Sequence, residues 1–157
     1  MGLADRIIAR VTRRPPDFVI GGIEDPYLMR WWVIPRNRFF NIYLHRFLRS
    51  DDDRALHDHP WVNCSILLRG SYWEHLQNDQ PGLTGRVVER KAGAIVLRWS
   101  GRIAHRVELL NGPVWTLFIT GPRYREWGFL CDGKGWVHWK QFTAPRDSGE
   151  IGEGCGE

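Results

Sequence analysis

The chain has little cysteine, little lysine and no long apolar run. Its three cysteines, Cys64, Cys131 and Cys155, are an odd number with no two close together. That spacing excludes a zinc knuckle, whose ligands come in near pairs, and a dense disulfide framework. Free thiols in a reducing, cytoplasmic compartment are the simplest expectation. No stretch reaches the length of a membrane span or has the apolar region of a signal peptide, so no membrane partner is expected. Also missing are a Ser/His/Asp set, a phosphate-cradling glycine loop and a paired acid/base dyad. Glu74, Glu89, Glu108 and Glu126 each stand without a matched carboxylate at catalytic spacing.

At 157 residues the chain fits one domain with a core that needs no disulfide. Its nine tryptophans favour broad, β-rich aromatic surfaces, and its scattered Gly and Pro imply many turns. The net charge of +4 is unevenly laid out: +3 over residues 1–14, −4 over 147–157 and +5 between. Arginine supplies almost all the positive charge, which suits an ordinary soluble surface or an anionic partner.

From Asp5 to Arg14, Ile7, Ile8 and Val11 share one helical face, and Pro15-Pro16 ends the run. A short basic helix packed on the following sheet is expected over residues 1–16. From Phe18 onward the pattern is one of nine or ten short strands, which argues for a sandwich or barrel over 17–146. In Phe39–Leu48, Asn41, Tyr43, His45 and Phe47 fall on one face. Ser50–Asp53 reads as a turn, Asn78–Gly85 as a loop and Trp136–Phe142 as the last strand. Residues 147–157, rich in Gly and Glu, read as a flexible acidic tail.

The most informative residues are His57-Asp58-His59, just before the run Cys64–Leu68, with His105 far downstream. On a strand, residues i and i+2 point the same way, so His57 and His59 can share one ion and His105 can complete a facial set. Three neutral nitrogens with open positions suit zinc, iron, nickel or copper. Asp58 alternates to the other face, where it orients a loop. His75 and His138 have no partner visible in the sequence.

This spacing resembles the cupin superfamily, which implies an all-β, double-stranded β-helix (jelly-roll) barrel behind a short N-terminal helix. His57, His59 and Gly70 match the first cupin motif, with Asn63 at its acidic position. Gly93, Gly101 and His105 match the second loosely. Within the superfamily the chain looks most like the cysteine dioxygenases. The matching residues are Tyr27, Arg30, Phe40-Asn41, His57-Asp58-His59, Cys64, His105-Arg106-Val107-Glu108 and Gly112-Pro113-Val114. The resemblance implies a divalent metal on His57, His59 and His105. Fe(II) comes first, with Zn or Ni as alternatives. It also implies Arg30 on a substrate carboxylate and Cys64 cross-linked to a tyrosine, and homodimers formed through sheet edges. The family's Ser-x-His-x-Tyr run is here Thr116, Phe118 and Thr120. Cys64 thus lacks the family's tyrosine, and Tyr43 is the phenol left to offer.

Arg30, Tyr43, His45, Asn63 and Cys64 are therefore the expected substrate-binding or pocket-lining residues. No residue is assigned a catalytic role. Three readings stand: a dioxygenase-like iron enzyme for a small anionic molecule, with a thiol among the candidates; a metal cupin that only binds a ligand; and a basic protein associated with nucleic acid or an assembly, for which no nucleic-acid motif is present.

Overall fold

The computed structural model describes residues 1–22, 24–51, 55–78, 84–145 and 147–156. In chain order the elements are α1 (Leu3–Val11), β1 (Phe18–Ile20), β2 (Leu28–Trp32), β3 (Asn41–Phe47), β4 (Leu56–His57), β5 (Asn63–Arg69), β6 (Ser71–Gln77), β7 (Thr84–Lys91), β8 (Ile95–Arg98), β9 (His105–Leu109), β10 (Val114–Thr120), β11 (Gly128–Cys131), β12 (Gly135–His138), α2 (Trp139–Phe142), β13 (Thr143–Ala144) and β14 (Asp147–Ile151). Two six-stranded antiparallel sheets carry the fold, in the orders β1-β2-β3-β10-β5-β8 and β12-β11-β4-β9-β6-β7. No described helix is long and apolar enough to cross a membrane.

Period-two patterning decides which side chains face inward. Along β10, Val114, Thr116, Phe118 and Thr120 are buried while their neighbours are only half-buried. Register aligns Phe118 with Tyr43 on one side and Ser65 on the other, and Thr116 with His45. The inner wall of the first sheet therefore carries polar and aromatic groups in rows. One end of the space between the sheets is filled by Leu67, Tyr72, Val107 and Val114, with Phe47 packed against them.

Two glycines hold close approaches. Gly70 turns β5 into β6 at φ +89°, where a Cβ would also meet Val114 Cγ2 at 2.9 Å. A Cβ on Gly101 would stand 2.3 Å from the His59 carbonyl oxygen, and it is this approach that lets His59 N–H donate to Gly101 O at 2.8 Å.

The N-terminal helix forms over Leu3–Val11, starting two residues before Asp5 and ending three before Arg14. Thr12 closes it, its N–H and hydroxyl both donating to Ile8 O. Ile8 and Val11 cover Trp31, Leu44 and Trp115 on the outer face of the first sheet, and Arg69 pairs with Asp5.

Two expectations need correction at the C-terminal end. The Trp136–Phe142 run is strand only to His138, whose Nδ1 then accepts from Lys140 N–H at 3.2 Å and starts α2. Residues 147–156 are not a loose tail: β14 pairs with β13, and Cys155 is bonded to Cys131. The cysteines are thus one pair and one free thiol, Cys64. Part of the expected turn at 50–53 and most of the expected loop at 78–85 lie outside the described residues, as does Glu157.

Candidate metal centre and its cavity

The three histidines reach one point from two strands and a loop. His57 ends β4 and is the register partner of His105 on β9. His59 lies two residues past His57 in extended chain, held by Gly101 O, while Asp58 N–H donates to Gly128 O at 3.0 Å. One ring nitrogen from each histidine lies within 4.8 Å of the others. Nε2 of His59 and of His105 are 2.9 Å apart.

Each side of this set is braced. Nδ1 of His105 lies 3.2 Å from Glu74 Oε1, a carboxylate with no solvent exposure. Arg98 also binds that oxygen, and Arg90 Nε donates to Oε2 at 2.8 Å. When His105 keeps its proton on Nδ1, Glu74 is the acceptor, and the Nε2 lone pair is left to face the centre. On the other side Asp51 Oδ2 lies 3.5 Å from His57 Nδ1; Asp51 is held by Val107 N–H at 2.7 Å and by the Tyr27 hydroxyl. Neither Asp51 nor Glu74 stands out in the sequence. Glu74 shares a face with core Tyr72 on β6, so an inward-facing acid in need of partners was the signal available.

Burial holds two rings neutral. It pushes His59 well below the usual imidazole range, reinforced by His105, His57 and Arg98. Burial, then the Arg98 charge, brings His105 down to about 3, with Glu74 pulling the other way. Burial works to raise the Glu74 carboxyl, but the hydrogen bond from His105, the charge of Arg98 and the hydrogen bond from Arg90 hold it far below its usual value. Neutral imidazole is the form that binds a metal, so the set fits a divalent ion. Among the described residues no carboxylate joins it: at the motif's acidic position Asn63 turns its Oδ1 to Arg98 Nη1 at 3.2 Å.

The centre opens into a cavity of about 310 Å³ that is also lined by Arg30, His45, Ser65 and Thr116. Arg30 Nε donates to His45 Nε2 at 2.8 Å, and its guanidinium lies 4.9 Å from the Tyr43 ring centre. His45 stacks between Tyr43 and Phe118, and Phe118 stands 5.8 Å from the His59 ring. A line of contacts thus runs from Arg30 to the metal set. Burial lowers His45 well below its usual range, with the Arg30 charge adding to it, so the ring acts as acceptor for Arg30.

Of the expected pocket residues, Arg30 and His45 are on the cavity wall. Tyr43 and Asn63 are buried behind it. Cys64 is elsewhere. Asn63 and Ser65 face inward, so alternation sends Cys64 to the outer face, beside Leu97 and Ile119. The residue that reaches Tyr43 through Phe118 is Ser65, so a Tyr43–Cys64 cross-link is excluded by register.

Asp58 does orient a loop: it accepts from Gly128 N–H, Arg125 and Trp136 Nε1 at 2.8, 2.6 and 3.0 Å. His75 pairs with Glu108 at 2.8 Å and His138 with Glu126 at 3.2 Å, away from the metal set.

No protein-family model and no curated protein matches the sequence. Solved structures do match in fold. An uncharacterized Klebsiella pneumoniae protein with a double-stranded β-helix domain is 16% identical, with a TM-score of 0.51 over 83% of this chain and 96% of that one. The oxalate decarboxylase of Bacillus subtilis, described with Mn(II) centres, is 17% identical, with a TM-score of 0.53 over 77% of this chain and 31% of its own. The Fe(II) form of HppE is 13% identical, with a TM-score of 0.51 over 65% of this chain. This chain spans about half of HppE, 54%. At these identities the likeness is one of fold: the chain is a double-stranded β-helix.

Proposed function

We propose that this chain is a mononuclear metal-dependent cupin enzyme, non-haem iron and dioxygenase-like in kind, acting on a small anionic substrate. The observation that carries it is one cavity holding three convergent imidazole nitrogens and a half-buried arginine without a carboxylate partner among the described residues. A divalent metal on these histidines supplies a Lewis-acidic and, with iron, redox-active centre that opens on the cavity. The Fe(II) and Mn(II) named for two fold relatives support a divalent ion. With all three protein ligands neutral, a metal brings its full positive charge to the site, which favours an anion beside it.

The chain's own residues do the positioning. Glu74 and Asp51 keep the His105 and His57 rings turned to the centre. Arg30, steered by His45, presents its fork to an anionic group. Phe118 shields His59 from water on one side. A thiol substrate is the finer reading that the cysteine dioxygenase resemblance adds. The outward Cys64 and the apolar Phe118 lend it no support.

A second reading, a metal cupin that binds its ligand without turnover, has its own observation. Asp51 is the one carboxylate on the cavity wall among the described residues, and it is occupied by Val107 and Tyr27. Elemental analysis of the purified chain against His105→Ala tests the metal. One ion per chain, lost in the variant, is expected. The absence of stoichiometric metal, together with an inert His57→Ala, would end the enzyme reading. Oxygen uptake by the Fe(II)-loaded protein with a panel of small organic acids and thiols then separates turnover from binding alone.

A further inference from the structure

The cavity has two chemically different ends. The first sheet supplies the polar end. There Thr116, opposite His45 in register, is 2% exposed, and its Oγ1 has no hydrogen-bond partner among the described residues. In the register row it is separated from Arg30 by His45, but both line the same cavity; the Nε of Arg30 is used by His45, and its remaining N–H groups meet no carboxylate among the described residues. A buried hydroxyl without a partner costs stability unless a ligand or water completes it.

The other end is an apolar wall built by β11 and the segment after it. Phe129 is the register partner of His57 and lies 6.2 Å from its ring. Phe142 stacks on Phe129 at 3.7 Å, and Trp127 tilts against it at 5.6 Å. Ile20, Trp61 and Ile151 continue the lining. The aromatic wall therefore begins at the metal set and runs away from it, and the cationic fork approaches the same set from the opposite sheet.

We infer that the substrate is a monocarboxylate with an apolar body, one aromatic ring or a branched alkyl group on a short chain. Its carboxylate sits on Arg30 and Thr116, and its body lies against Phe129, Phe142 and Trp127. At the polar end, apart from the metal set, one guanidinium and a neutral His45 match one negative charge and would leave a second one there unpaired. Size agrees: a dry cavity of ~150 Å³ takes up benzene, so about 310 Å³ holds a ring and a short acid chain. Small polar acids would leave the aromatic wall against water and forgo its contribution. This inference rests on the reading of the site as a metal-and-anion pocket, and it adds the apolar half of the ligand.

The test is titration of the full-length, metal-loaded chain with 3-phenylpropionate, propionate and 3-phenylpropionamide, followed by calorimetry and tryptophan fluorescence. The expected result is that 3-phenylpropionate binds at least tenfold tighter than propionate and than its neutral amide. Phe129→Ala should shrink the advantage over propionate and leave propionate unchanged. Arg30→Met should weaken both acids at least tenfold and leave the amide unmoved. Arg30→Lys, which keeps charge but not the fork, should weaken both acids too and serves if the Met variant does not fold. Equal affinity for propionate and 3-phenylpropionate, or a Phe129→Ala variant that binds like wild type, overturns the apolar-body inference and leaves the anion pocket standing. If neither acid binds, or if both bind regardless of Arg30, the underlying anion reading fails instead.

Discussion

Glu74 and His105 meet on the same face of the second sheet: Leu76 is the register partner of His105, and Glu74, two residues along β6, brings Oε1 to 3.2 Å from its Nδ1. The carboxylate is fully buried and answers to two arginines as well. Replacing it by Glu74→Gln removes the charge that fixes the His105 ring and balances Arg98. Metal affinity should fall by roughly 10–100-fold, as is usual when a ligand's outer partner is lost. Stability of the metal-free protein should fall by about 3–5 kcal/mol, because Arg98 keeps its burial without its partner. Competition with a chromophoric chelator reads the first and urea unfolding the second. Asp51→Asn, at a 3.5 Å contact, should weaken metal less than Glu74→Gln does. The reverse order would assign the dominant orienting role to Asp51.

Arg30 and His45 depend on each other in a measurable way. His45 accepts the Arg30 Nε proton only while its ring is neutral. His45→Phe keeps the stacking between Tyr43 and Phe118 but removes the acceptor. Loss of a hydrogen bond to a charged donor is worth about 1.5–3 kcal/mol, so affinity for a small carboxylate should drop roughly tenfold or more, with metal content unchanged. Metal loss in this variant would show that His45 supports the metal set rather than the arginine.

The neutral histidines set a pH dependence for the metal-free protein. His105 titrates in the folded state at about 3, and burial also takes His59 and His45 well below their usual range. In the unfolded chain these rings take up protons near pH 6.5. Between that pH and about 3 the unfolded state binds more protons than the folded one. Stability therefore falls as the pH falls through this window and is unaffected by these groups above it. Each ring contributes a slope of up to about 1.4 kcal/mol per pH unit. Urea midpoints at pH 7, 6 and 5 should decline progressively, and His59→Gln should flatten the decline. A flat wild-type profile would mean that the rings titrate normally.

Much of the fold and the inner part of the site can be read from the residues alone, for definite reasons. His-x-His ahead of an apolar strand is a local pattern whose geometry follows from a period of two, and a third histidine within another strand completes it. The same period sets Asn63 and Cys64 on opposite faces, against the expectation that both line the pocket, and the structure puts Ser65 on the wall and Cys64 outside. The braces are less legible because they are not local. Asp51 precedes the histidines in chain order, and Glu74 and Arg98 come from β6 and β8. Only the pairing of the strands makes them neighbours. Aromatic wall residues Phe129 and Phe142 are ordinary apolar residues in sequence, and nothing but register puts Phe129 opposite His57. The Gly/Glu composition of the C-terminal segment argues against packing, whereas its anchorage comes from the β13–β14 pairing and one disulfide, neither of which composition shows.

That bond gives the last prediction. Cys131 is buried with Ala55 and Phe142, and its link to Cys155 closes a loop with a sequence separation of 24. Constraining a loop of that length in the unfolded chain stabilises the fold by about 3 kcal/mol. For a chain of this size each kcal/mol moves Tm by about 2–4 °C. Cys155→Ser, or full reduction, should therefore lower Tm by roughly 6–12 °C. Phe142 and Ile151 lie within the looped segment and line the cavity, so the same change should weaken the binding of a ligand with an apolar body while leaving the metal in place. Thiol counting under denaturing, non-reducing conditions should find one free thiol, Cys64, and three after reduction. Three thiols before reduction would mean that the segment is held by the β13–β14 pairing and the Phe142 packing alone, and the wall of the cavity would then be as labile as that short pairing.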